Sequence, residues 1–215
     1  MKVVEPSLLA FDPNNLDSQL EQIKTAGATF IHYDVMDGIY VPNVAFGPEQ
    51  LLNVKKNGLS NNVHMMVKDP MMWIKKFYDF PINSLTFHPE IISLDECNDA
   101  FALLQSKGIK YGIAIKPNID ANQYLPILKK CDYVCVMSVV PGKGGQTFMS
   151  ESIDNLVKVK NIKDSFNNKL IIQLDGGVNF EVMQKTKKYV DHFIIGSFLM
   201  KQEDKKTVFD FLKTL

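Results

Sequence analysis

Along the chain, short apolar runs alternate with longer stretches in which apolar residues recur every three or four positions. The first kind of run reads as a buried strand and the second as an amphipathic helix. Strand-like runs at 3–9, 29–35, 62–67, 83–87, 110–115, 133–137, 169–174 and 190–195 stand out. Helix-like runs follow them in turn at 15–26, 48–56, 71–78, 94–107, 121–130, 152–165, 180–188 and 204–215. Strand–helix alternation predicts a parallel sheet, because parallel neighbours need a crossover helix between them. Leu170-Ile171-Ile172 and Phe193-Ile194-Ile195 are continuously apolar, as strands covered on both faces must be. Eight units at a spacing of roughly 25 residues favour closure into a single (β/α)8 TIM barrel over an open doubly wound sheet. No low-complexity stretch or Pro/Gly/Ser-rich linker divides the sequence, so one domain over residues 1–215 is expected.

In such a barrel, chemistry gathers where the strands end and the following loops begin. The second run ends in Ile31-His32-Tyr33-Asp34-Val35-Met36-Asp37-Gly38, and strand alternation puts His32 and Asp34 on one face. Burying both is costly unless they are paired or hold a metal. The third run carries His64 between apolar neighbours, and the seventh leads into Leu174-Asp175-Gly176-Gly177. For either histidine alone, a hydrogen-bonded core residue is the better reading. Two histidines and two carboxylates on three strands favour a metal site, and mixed N/O donors suit Zn²⁺, Mn²⁺, Fe²⁺ or Co²⁺ better than Ca²⁺.

Glycines form a second constellation. Pro141-Gly142-Lys143-Gly144-Gly145-Gln146 follows the sixth run, Gly176-Gly177 the seventh and Gly196-Ser197 the eighth. Adjacent glycine-rich strand ends let backbone N–H groups approach a phosphate, so a phosphate cup is expected there. Met36, Met66 and Met137 also fall at strand ends, where they either fill the core or line a dry wall beside an electron-rich intermediate. His88 could stand behind the ligands and Lys116 could line the mouth. His192 begins its strand at the far end and is assigned no role.

Composition narrows the classes. Hydrophobic residues make up 46% and charged residues 22% of the chain, which excludes a disordered sequence. Lys+Arg and Asp+Glu are equal at 24 each, so no net field points to nucleic acid or an anionic membrane. No apolar run reaches membrane-spanning length, and the first ten residues lack a signal-peptide pattern. Cys97, Cys131 and Cys135 make an odd, unpatterned set that reads as reduced thiols, so a cytoplasmic protein is expected.

Several strings together resemble the ribulose-phosphate 3-epimerase family, from the first strand to the last. They are Pro6-Ser7-Leu8-Leu9-Ala10, the run from His32 through Asp37-Gly38 to Pro42-Asn43, and His64-Met65-Met66-Val67. Val136-Met137-Ser138-Val139-Val140-Pro141-Gly142-Lys143-Gly144-Gly145-Gln146 and Asp175-Gly176-Gly177 complete the set. The resemblance implies interconversion of D-ribulose 5-phosphate and D-xylulose 5-phosphate through a metal-stabilised cis-enediolate. It implies that His32, Asp34, His64 and Asp175 bind one divalent ion, zinc first with iron, manganese or cobalt as alternatives. Asp34 and Asp175 double as acid and base. Ser7, His64 and Asp175 would contact the substrate. Gly142, Lys143, Gly144, Gly145, Gly176, Gly177, Gly196 and Ser197 would hold it and its phosphate. Lys143 departs from the family's usual aromatic residue, and Asn118-Ile119 replaces a common Gly-Thr. Both departures bear on substrate preference and loop behaviour.

Three other readings compete. One is a 3-epimerase of a ketohexose 6-phosphate such as allulose 6-phosphate. Another is a non-catalytic sugar-phosphate-binding barrel. A decarboxylase built on Asp-x-Lys-x-x-Asp is disfavoured, since Met36 and Ile39 stand where its lysine and second aspartate would be. A small-molecule ketose phosphate is the expected partner, with no nucleic acid or membrane, and a homo-oligomer is the expected assembly. Tyr40, Val41 and Phe46 either serve an interface or pack the second loop.

Overall fold

A computed structural model describes residues 2–215; Met1 of the expected 1–215 span lies outside the described residues. The strands are β1 (Val3–Pro6), β2 (Phe30–Asp37), β3 (Val44–Ala45), β4 (Ser60–Met66), β5 (Ser84–Phe87), β6 (Lys110–Ile115), β7 (Tyr133–Met137), β8 (Ile171–Asp175) and β9 (His192–Ile195). They form one sheet in the order β1-β9-β8-β7-β6-β5-β4-β2-β3, parallel except for β3, which pairs antiparallel with β2. An isolated parallel bridge between Ser7 and His32 brings β1 back against β2 and closes the curl into a barrel. The eight expected strands are therefore present, and β3 is an addition.

Around this ring run α1 (Leu16–Ala26), α2 (Gln50–Lys56), α3 (Pro70–Phe77), α4 (Leu94–Ser106), α5 (Leu125–Leu128), α6 (Ser152–Phe166), α7 (Phe180–Thr186), α8 (Ser197–Met200) and α9 (Lys206–Leu212). Local chemistry sets several boundaries. Ser93 and Glu96 make a reciprocal capping box that starts α4. Asp69 caps α3 ahead of Pro70, and the Asn179 side chain accepts from Val182 N–H at the start of α7. The first strand ends at Pro6, with Ser7 N–H still donating to Ile195 O, and the expected run to residue 9 becomes the 3-10 turn Leu8–Ala10. The helix expected over 121–130 is a 3-10 turn followed by the short α5. Gly196-Ser197, read only as a loop, opens α8.

The interior and exterior of the ring differ in chemistry. Tyr33, Val35, Val63, Met65, Ile172, Leu174, Phe193 and Ile195 belong to the main core between sheet and helices. Their neighbours in sequence face the barrel axis, and many are polar: Glu5, Ser7, His32, Asp34, Asn62, His64 and Gln173 are all buried. That inward polar column delivers the site.

Candidate active site

β2 and β4 run in register, with Asp34 opposite His64, and Asp175 ends β8 across the barrel. His32 Nε2 lies 3.2 Å from Asp34 Oδ1 and 3.8 Å from Asp175 Oδ2. His64 Nδ1 lies 3.3 Å and 3.9 Å from the same two oxygens. One donor atom from each of the four residues falls within 4.8 Å of all the others. Donors bound at about 2.0–2.1 Å in a tetrahedron sit about 3.3 Å apart, so the set can take a divalent ion with small side-chain adjustments. Two further observations fit an ion here: both ring nitrogens of His32 are buried without a hydrogen bond, and the four donors are borderline N/O ligands. A His/Asp cluster able to hold a metal is thus part of the structure.

The surroundings push the two aspartates apart. Burial alone would raise both. At Asp34 the charge of His32, aided by the hydrogen bond and charge of His64, outweighs it and holds the carboxyl well below the usual range. Ser7 Oγ also donates to Asp34 Oδ2 at 3.1 Å. At Asp175 burial wins, and the nearby charge of Asp34 adds to it, so its carboxyl is raised. His32 is opposed by burial but carried up to about 9 by Asp34 first, then Asp175 and Glu5.

Behind the cluster, His64 Nε2 and His88 Nε2 share a hydrogen bond at 3.0 Å. Burial and the charge of His64 keep His88 well below its ordinary range, so it is neutral. Glu90 links this group to the mouth, accepting from Tyr40 Oη at 2.6 Å and pairing with Lys116 Nζ at 2.7 Å. Lys116 is thereby engaged with Glu90 at the rim. Asp37, the second aspartate of the Asp-Val-Met-Asp-Gly string, accepts from the backbone N–H groups of Ile39, Tyr40 and Lys68 and is a loop anchor.

A cavity of about 250 Å³ opens above the four residues. Ser7, Asp34 and Asp175 line it, and so do Met36, Met66 and Met137, each 2% exposed. Its other wall is made by Gly142, Lys143, Gly144 and Gly145 with Gly176, Gly177, Gly196 and Ser197. Gly177 has φ +63°, and a β-carbon there would lie 2.3 Å from Phe148 N, so the loop after β7 can pack only on a glycine. Asn43 Nδ2 donates to Gly142 O at 2.6 Å, and Gln146 Nε2 donates to Val140 O and Lys143 O, which fixes the glycine loop. Val41 packs with Met36 and Met66, and Tyr40 and Phe46 are partly buried against core residues, whereas Ile39 and Val44 of the same loop are exposed.

Sequence reasoning passed over Lys201, which lines the cavity beside Ser197, and Glu5, which lies beneath His32. Glu5 was findable: Glu5 and Ser7 alternate as His32 and Asp34 do, so the same face was legible. Lys201 was not, because the four residues of α8 are too few to carry a helical period.

Tryptophan synthase structures have the same architecture. One from Mycobacterium tuberculosis superposes with a TM-score of 0.70 at 13% identity, covering 99% of this chain and 91% of that one. A tryptophan synthase alpha-subunit from Pyrococcus furiosus gives 0.70 at 14% identity, covering 99% and 98%. At such identities the likeness speaks for the barrel alone. Sequence comparison goes further. Ribulose-phosphate 3-epimerases from Helicobacter pylori (33% identical, 99% of this chain and 97% of the relative), Aquifex aeolicus (32%; 95% and 92%) and Escherichia coli K12 (30%; 99% and 95%) align nearly end to end. The model of the ribulose-phosphate 3 epimerase family matches residues 3–200. The protein therefore belongs to the ribulose-phosphate 3-epimerase family and is an enzyme of the isomerase class.

Proposed function

We propose that the protein epimerises D-ribulose 5-phosphate to D-xylulose 5-phosphate at C3, within one barrel domain spanning residues 1–215. The observation that carries this reading is the convergence of His32, Asp34, His64 and Asp175 within 4.8 Å beneath a glycine-walled cavity. His32, Asp34, His64 and Asp175 would hold a divalent ion, zinc by first choice, which would supply Lewis acidity at the C2 ketone. Asp34, kept ionised by its histidine neighbours, takes the C3 proton. Asp175, raised toward its protonated form, returns a proton to the opposite face of the planar enediolate. Electrons released from the C–H bond enter the enediolate and re-form C–H on the other face, so the step balances without a redox partner. Asp175 is the more exposed carboxyl, at 18% against 6% for Asp34, and so exchanges protons with solvent more readily.

Glycine backbone groups of Gly145, Gly177 and Gly196, with the Ser197 hydroxyl and the Lys143 and Lys201 amines, make the phosphate end. Met36, Met66 and Met137 give the enediolate an apolar wall that keeps water away. The test is proton NMR of the metal-loaded enzyme with ribulose 5-phosphate in D₂O. Deuterium at C3 with xylulose 5-phosphate appearing is the expected result. No exchange there, but exchange with a ketohexose 6-phosphate, would move the assignment to that substrate, and none with either would leave a binding protein. Among the described residues no helix is long and apolar enough to cross a membrane. Three buried, unpaired cysteines suit the reducing cytoplasm we infer. Light scattering tests the homo-oligomer.

A further inference from the structure

Two orphaned polar atoms face one another below the site. Glu5 Oε2 and His32 Nδ1 are both buried without a hydrogen-bond partner, and they lie 3.9 Å apart. That is too long for a hydrogen bond. Leaving a carboxylate oxygen and an imidazole nitrogen unpaired in a barrel core is costly, and a small side-chain turn cancels both penalties.

The rest of Glu5 is already fixed. Its Oε1 accepts from His192 Nδ1–H and from Gln173 Nε2–H at 2.9 Å, so β9 and β8 grip one oxygen and leave the other aimed at β2. The hydrogen bond and charge of His192 keep Glu5 ionised against complete burial. We propose that Glu5 is the positioning residue for His32: its free oxygen accepts a hydrogen bond from Nδ1–H, so that Nε2 turns a lone pair toward Asp34 and Asp175. A neutral imidazole carries one proton, and whichever nitrogen finds the acceptor keeps it. Asp34, 3.2 Å from Nε2, competes for that proton. Without Glu5, Asp34 wins and blocks the donor atom. This inference rests on the metal-site reading above, and Glu5 itself touches neither substrate nor ion.

The test uses the full-length protein with zinc as the probe. Histidine side-chain ¹⁵N NMR reports which His32 nitrogen bears the proton, and competition with a chromophoric chelator gives zinc affinity. In zinc-loaded wild type the His32 proton is expected on Nδ1. Glu5→Leu is expected to bind zinc about 10–100-fold more weakly, and Glu5→Gln, which keeps an acceptor oxygen, to lose less. His192→Asn disturbs the same barrel floor but keeps a donor to Glu5, and is expected to retain wild-type affinity and tautomer. A His32 proton on Nε2 in zinc-loaded wild type would overturn the proposal even if no Glu5 variant folds. So would unchanged affinity in folded Glu5→Leu. Failure of wild type to take up zinc would overturn the metal-site reading as well, and that outcome is visible before any variant is made.

Discussion

With divalent ions stripped by a chelator, the protein should become less stable as pH rises through the neutral range, and His32 should be the reason. Its imidazole is raised from 6.5 to about 9 in the folded state by Asp34, Asp175 and Glu5, against the opposing pull of burial. A raised folded value means that the native state binds the proton more tightly than the unfolded chain. The stabilisation is therefore fully present below pH 6.5 and is lost as pH climbs through about 9. A difference of about 2.5 pH units, at about 1.4 kcal/mol each, sets a ceiling of about 3 kcal/mol. For a chain of this length that is roughly 6–12 °C in Tm. Urea titrations of chelated protein at pH 6 and pH 9.5 read it directly. His32→Gln, which cannot titrate, provides the background from every other group. Parallel stability profiles for wild type and His32→Gln would refute the reasoning, because the shared charge of Asp34, Asp175 and Glu5 would then not be felt by His32.

Other expectations are independent of that one. Asp34→Asn and Asp175→Asn should each lower kcat by about 10²–10⁴-fold with unchanged circular dichroism, and substantial turnover in either would sink the two-carboxylate mechanism. Gly177→Ala should cost at least about 2 kcal/mol and raise KM, since a β-carbon there collides with backbone. Gly145→Ala, equally left-handed at φ +75° but open, should cost only about 1 kcal/mol; equal losses by thermal melting would remove the steric argument. Lys143→Ala should raise KM several-fold with little change in kcat, as expected for binding felt equally in ground and transition states. Dialysis against a chelator should abolish turnover and Zn²⁺, Mn²⁺, Co²⁺ or Fe²⁺ restore it; full activity with no ion measurable by emission spectroscopy would exclude the metal.

The barrel was readable because the eight ring strands are apolar enough to announce themselves and the longer helices keep their period. Lys110–Ile115 and Tyr133–Met137 match the expected bounds. Boundaries slipped where a 3-10 turn took over an apolar run, as at Leu8–Ala10, or where too few residues carry a period, as in β3 and α8. His32, Asp34, His64 and Asp175 could be picked out because polar residues inside apolar strands are conspicuous. Their convergence was not readable: Asp34 and Asp175 are 141 positions apart in sequence, and only the curl of the sheet sets them side by side. Val41 and Phe46 left two readings open, since an apolar loop looks the same whether it packs on its own barrel or on a neighbour. Glu5 went unnoticed although the alternation rule that found its neighbours applied to it equally.

The bridge from Ser7 to His32 has a further consequence. Every other junction in the ring is a ladder of several paired residues, whereas β1 and β2 meet, among the described residues, at this one isolated bridge. It is the natural line along which the ring would first unzip, and amides flanking it should exchange with solvent sooner than those of β7 or β8. The donor set straddles that line, with β2 on one side and β8 on the other, beyond β1 and β9. A ligand gripped by both sides would act as a clasp across the gap, so occupancy and the integrity of the ring become one equilibrium.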